Sequence, residues 1–133
     1  MSLSDMSRYA DPFWDTGFGR HEFACKCGCG FDVVDVELLA VLEYVRDHFE
    51  RRPVIITSGC RCEMHNKTVG GSPRSQHLLG KAADFKVVGV HPDAVADWLE
   101  QEFPGKYGIG RYDGRTHVDV RGWKARWDRR GEG

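Results

Sequence analysis

Apolar side chains recur along this chain in two rhythms, and each rhythm predicts a different element. Over residues 35–51 they fall at Val36, Leu38, Leu39, Leu42, Val45 and Phe49, close to the helical period of 3.6. Either Asp32 or Asp35 is placed to cap that helix, and Pro53 prevents its continuation. The β-branched run at 54–57 predicts a short strand, and 82–88 a second. Between them, residues 58–74 hold three glycines, a proline and many polar side chains, which predicts a long loop of the kind that usually carries function. His91-Pro92-Asp93 opens a second helix, with proline at its first position, running to about Phe103 before Pro104-Gly105 stops it. Residues 107–112 and 116–121 read as two strands joined around Asp113-Gly114, a dipeptide favoured in tight hairpins.

The order helix, strand, strand, helix, hairpin predicts a single α+β domain with a mainly antiparallel sheet packed against helices. Residues 1–19 are expected to be an irregular extension, 20–127 the domain itself, and 128–133 a polar tail. No repeat, low-complexity tract or linker divides the chain.

Composition narrows the function classes. The 133 residues include 41% hydrophobic and 29% charged side chains, ordinary values for a soluble domain. Lys+Arg (19) and Asp+Glu (20) nearly cancel, so no charge excess directs the chain to nucleic acid or an anionic membrane. No apolar run approaches membrane-spanning length, and the N-terminus lacks the apolar core of a signal peptide. A monomer is the default expectation.

Strand alternation then isolates a site. Val118 and Val120 point to one face, while Arg115, His117, Asp119 and Arg121 point to the other. Asp84 faces opposite to Phe85 and Val87, and a carboxylate between Ala83 and Phe85 is costly to bury unless a cation or strong donors compensate it. His77 and Asp84 lie seven positions apart, with His117 following in a later strand. Two imidazole nitrogens and one carboxylate are the ligand set of an open catalytic zinc site, which keeps its fourth position for water. One Zn2+ per chain is expected on His77, Asp84 and His117. Such a metal activates water and polarises a carbonyl, and a carboxylate nearby must move the proton. Asp119 is the first candidate for that base by strand position, and Asp113 in the turn is the second. Arg61 could pair with a substrate carboxylate, and Ser75 could orient His77 or bond to substrate. His21, His48, His65 and His91 read as structural or solvated, and Trp123 and Trp127 as packing for the C-terminal segment.

Cysteine spacing leaves several readings open. Cys25, Cys27 and Cys29 alternate in a glycine-rich segment, and Cys60 and Cys62 alternate near the site. A second metal, a disulfide between the clusters, and thiols without chemistry all remain, because C-x-C-x-C lacks the C-x₂-C spacing of common structural zinc sites.

The motifs Ser58-Gly-Cys-Arg61, Asn66, Gly70-Gly71, Ser75-Gln-His77-Leu-Leu-Gly80-Lys-Ala-Ala-Asp84, Gly108-Ile-Gly110 and His117-Val-Asp119-Val-Arg121-Gly, then Arg126-Trp127, together resemble the M15 family of zinc peptidases. Within it they are most similar to the small subfamily related to D-alanyl-D-alanine carboxypeptidases and phage endolysin peptidases. The resemblance covers roughly residues 20–127 and implies the Hedgehog/DD-peptidase-like fold. It implies zinc on His77, Asp84 and His117, and hydrolysis of peptide bonds in bacterial peptidoglycan stem peptides, by carboxypeptidase or endopeptidase action. It also implies a substrate- or transition-state-binding role for Arg61. With a cell-wall target and no signal peptide, synthesis in the cytoplasm and phage or prophage coding are expected.

Two positions depart from the family pattern. Some relatives carry an acidic residue three positions before the last histidine, where this chain has Gly114, and others a second histidine two before it, where it has Arg115. That leaves an alternative, a non-catalytic zinc-containing module that binds cell wall or builds a virion. The zinc-bearing Hedgehog signalling domain, on a similar scaffold, illustrates it.

Overall fold

The computed structural model describes residues 17–132. Of the expected N-terminal extension, residues 1–16 lie outside them. The elements in chain order are α1 (Val36–His48), β1 (Val54–Ser58), α2 (Glu63–Thr68), β2 (Ala82–Val87), α3 (Pro92–Glu102), β3 (Gly108–Arg111), β4 (Thr116–Asp119) and β5 (Ala125–Asp128), with single 3-10 turns at Arg20–Phe23 and Gln76–Leu79. The strands form one sheet in the order β1-β2-β4-β3-β5. All neighbours are antiparallel except β3 and β5, which run parallel. The fold is α+β, as the residue pattern predicts.

Local chemistry sets the helix ends. Of the two candidate caps, Asp35 is used, its carboxylate accepting from the Glu37 amide at 2.8 Å. Glu50 and Arg51 both take positive φ just beyond α1, which ends the helix before Pro53. At α3, Pro92 occupies the first turn and the His91 ring accepts from the Asp93 amide at 3.1 Å.

One face of the sheet is the core. Val54 and Ile56, Ala83, Phe85 and Val87, Val118 and Ile109 are buried with Leu38, Val41, Leu42 and Val45 of α1 and Val95 and Leu99 of α3. Tyr44 packs beside Trp98 and Phe103, with ring centroids 5.1 and 6.0 Å away. Arg126 fastens the far edge, donating to the carbonyls of Phe103 (2.7 Å), Lys106 (3.2 Å), Tyr107 (2.6 Å) and Ala125 (2.9 Å).

Three features differ from the residue pattern. The 58–74 segment is not all loop, because α2 occupies its centre. The strand pair 108–111 and 116–119 is accompanied by a fifth strand, β5, which ends at Asp128 and so crosses the expected boundary between domain and tail. That tail docks, with the Arg129 amide bonding to the Arg111 carbonyl at 2.8 Å and the Gly131 amide to Asp113 at 3.0 Å. Among the described residues no helix is long and apolar enough to cross a membrane.

Phe85 is fully buried in the core, directly behind the polar face. Phe85→Ala is expected to lower unfolding free energy by about 3–5 kcal/mol in urea titration. A loss within about 0.5 kcal/mol, as at a surface position, would contradict this packing.

Candidate metal centre

Opposite the core, strand register builds a row of positions that carries the site. Ser58, Asp84, His117, Gly110 and Trp127 are successive cross-strand partners from β1 to β5. Ser58 joins the row because a register shift between Ile56 and Ser58 turns β1 over at its end. Asp84 and His117 are therefore directly opposed, and His117 Nδ1 lies 2.9 Å from Asp84 Oδ1.

His77 arrives from outside the sheet. Its 3-10 turn is capped by Ser75, whose hydroxyl accepts from the His77 amide at 3.2 Å. The turn closes on Gly80 at φ 68, where a Cβ would come within 2.6 Å of the Val33 carbonyl, so both conformation and space require glycine. His77 Nδ1 sits 2.6 Å from the Gly59 carbonyl. A carbonyl only accepts, so Nδ1 carries the proton and Nε2 faces Asp84 Oδ1 with its lone pair, at 3.5 Å. His77, Asp84 and His117 are all buried, and their donor atoms lie within 4.8 Å of one another. Two imidazoles and a carboxylate so grouped fit a divalent metal of the zinc type.

Electrostatics keep the cluster ready for a cation. Burial alone would raise the Asp84 pKa, but the hydrogen bond from His117 reverses this and holds the carboxyl well below its ordinary range. Arg61 Nη2 and Arg115 Nε approach its other oxygen at 3.6 and 3.7 Å. Burial would also lower the His117 pKa, yet hydrogen bonds to Asp119 and Asp84 raise it. Carboxylates face both ring nitrogens, so Nδ1 calls for a positive partner, whether proton or metal.

Asp119 is placed differently from what a base needs. It is fully buried, and His117 Nε2 lies 2.7 Å from its Oδ2, so the imidazole ring stands between it and Asp84. Its oxygens also accept from the Gly108 amide (3.2 Å), the Arg121 amide (3.2 Å) and the Arg121 guanidinium (2.7 Å to each oxygen). Burial acts to raise its pKa, but the Arg121 and His117 bonds hold it well below the usual carboxylate range. A saturated, buried, firmly ionised carboxylate is a poor proton acceptor for water. Its geometry is that of the carboxylate behind a metal-ligating histidine, which fixes the ring and its tautomer. Asp113, the second candidate, is exposed and accepts from the Gly131 amide, away from the cluster.

A cleft of about 720 Å³ opens over the cluster, lined by His77 and His117, by Ser75 and by Arg61, Arg74, Arg115, Arg121 and Arg129. Among the described residues no Asp or Glu lines it. Arg61 is steadied from behind, Nη1 donating to the buried Asn66 Oδ1 at 3.3 Å, while Asn66 Nδ2 donates to the Ser72 carbonyl at 2.9 Å. Trp123 and Trp127 line the same cleft instead of only packing the C-terminal segment, and the Trp127 ring centroid is 4.8 Å from that of His117. The other histidines stay apart from the site. His48 stacks on Trp98 at 4.3 Å and His91 caps α3.

Residue alternation places Arg115 and Arg121 on the His117 face, yet gives neither a role. Gly108-Ile-Gly110 carries a second signal. A Cβ at Gly108 would meet Asp119 Oδ2 at 2.2 Å, and one at Gly110 would meet Trp127 at 2.4 Å. The two glycines make room for the carboxylate and the indole that brace His117.

The family model described as Peptidase M15 matches residues 16–119, which include all three members of the cluster. A search of curated proteins finds no match.

Asp119→Asn is expected to weaken zinc binding about 10- to 100-fold in a chelator competition titration, the usual effect of losing a carboxylate behind a ligand histidine. Unchanged zinc affinity with hydrolysis abolished would return Asp119 to the role of base.

Proposed function

The chain belongs to the M15 peptidase family, and on that footing we propose that it is a zinc-dependent peptidase cutting peptide bonds in the stem peptides of bacterial peptidoglycan. The observation that carries this reading is the buried His77, Asp84 and His117 cluster at the base of an arginine-lined cleft. Family membership implies peptide substrates. The cleft's five arginines favour peptides rich in free carboxylates, as wall stem peptides are.

Zinc bound there supplies Lewis acidity, polarising a peptide carbonyl and making water nucleophilic at neutral pH. The protein's own groups do the rest. Asp84 stays ionised because His117 bonds to it, so it offers a charged oxygen near neutral pH. Asp119 holds the His117 ring in place through Nε2, and the Gly59 carbonyl does the same for His77 through Nδ1. Arg61, steadied by Asn66, presents a planar fork beside Asp84 that suits a substrate carboxylate or the negative charge developing on the carbonyl oxygen. Trp127 and Trp123 shield one side of the cleft and give an apolar surface for the peptide.

The absence of Asp and Glu from the cleft lining among the described residues favours a second reading. A module that holds zinc and binds wall peptides without cutting them needs no proton-accepting carboxylate there.

Purified peptidoglycans of several chemotypes, treated with the zinc-loaded protein and analysed by mass spectrometry, separate the two. The proposal expects new stem-peptide termini whose masses name the bond, with release falling to background for His77→Ala and about 100-fold for Arg61→Ala. Zinc retained by the His77 site with no release from any chemotype would leave the binding module as the function.

A further inference from the structure

Four of the five cysteines converge at a place the peptidase chemistry does not use. Cys25, Cys27 and Cys29 come from the loop after the first 3-10 turn, and Cys62 from the segment entering α2. Their sulfurs all lie within 4.8 Å of one another. The Cys25–Cys27 separation is 3.5 Å, Cys25–Cys62 3.8 Å and Cys27–Cys62 3.7 Å. Disulfide sulfurs stand about 2.05 Å apart, so these are not bonded pairs. Four thiolates on one zinc at about 2.3 Å are separated by about 3.8 Å, because that is the edge of the tetrahedron. We propose that Cys25, Cys27, Cys29 and Cys62 form a second, closed metal site that holds a structural zinc ion.

The surroundings suit thiolates. The Cys62 amide donates to Cys25 Sγ at 3.5 Å and the His65 amide to Cys62 Sγ at 3.4 Å. Gly28 and Gly30, at φ 80 and 92, fold the loop back so that the Cys25 amide reaches the Phe31 carbonyl at 2.7 Å. Alternating cysteines then meet one centre despite lacking the usual two-residue spacer. Cys60, the fifth, is excluded, its thiol donating to the Phe31 carbonyl at 3.1 Å. Gathering four sulfurs at one point as thiolates calls for a cation between them. Binding exchanges thiol protons for the metal, with no change in oxidation state.

The placement gives this site a structural task. Cys62 adjoins Arg61, and Gly59, whose carbonyl orients His77, packs against the Phe23 backbone. The Cys60 amide bonds to the Phe23 carbonyl at 2.9 Å. A metal on the four thiols would staple the N-terminal loop to the segment that presents Arg61 and steadies His77. The chain would carry two metals, not the one expected from sequence.

The test is metal content and cobalt absorption of the full chain, reduced under anaerobic conditions. Reduced wild type is expected to bind two equivalents of Co²⁺ and show near-ultraviolet sulfur-to-cobalt charge-transfer bands. Cys27→Ser with Cys29→Ser, both exposed positions, should bind one equivalent and lose the bands. His77→Ala should bind one and keep them. Reduced wild type without charge-transfer bands, or a double variant that retains them, would overturn the proposal whatever the fate of the peptidase reading.

Discussion

The buried carboxylate of Asp84 is the constraint around which the polar half of this protein is arranged. An ionised side chain between Ala83 and Phe85, with the core directly behind it, costs several kcal/mol unless opposite charge surrounds it. The sheet answers with His117 on the adjoining strand at hydrogen-bond distance, and the loops answer with His77, Arg61 and Arg115. Sheet register, the cap at Ser75 and the turn at Gly80 all serve to bring those groups to one point. The energetic demand of one residue thus becomes a geometry that fits a metal ion.

Behind that point stands a second layer of equal consequence. Asp119 holds His117, Arg121 and the Gly108 amide hold Asp119, and Gly110 leaves the space through which Trp127 reaches the imidazole. Positive charge is concentrated in front of this layer, on the arginines of the cleft, although the whole chain is close to neutral. Net charge therefore says nothing of substrate here, whereas the local field favours carboxylates.

The long periodic segments made most of the fold legible. Helices at 36–48 and 92–102 and four of the strands follow from apolar spacing, a capping aspartate and prolines. What escaped is short or depends on distant partners. The helix Glu63–Thr68 spans only six residues of largely polar character, and Ala125–Asp128 becomes a strand by pairing with β3. The grouping of His77, Asp84 and His117 could be read because alternation fixes a face and a buried aspartate demands partners. Depth could not be read. Alternation put Asp119 on the same face as His117, but only the Gly108 amide and the Arg121 fork reveal that it is closed off from the cleft. The thiol cluster was hidden for a related reason, since its fourth member joins from 37 residues beyond Cys25.

In the arrangement proposed for the site, His77, Asp84 and His117 ligate a metal while Asp119 stays behind His117. Anomalous diffraction at the zinc absorption edge from crystals of the zinc-loaded protein tests it directly. A strong peak bonded to His77 Nε2, Asp84 and His117 Nδ1 is expected, with Asp119 still on His117 Nε2. A site without a peak, or one bonded through His117 Nε2 with Asp119 as a ligand, would contradict it.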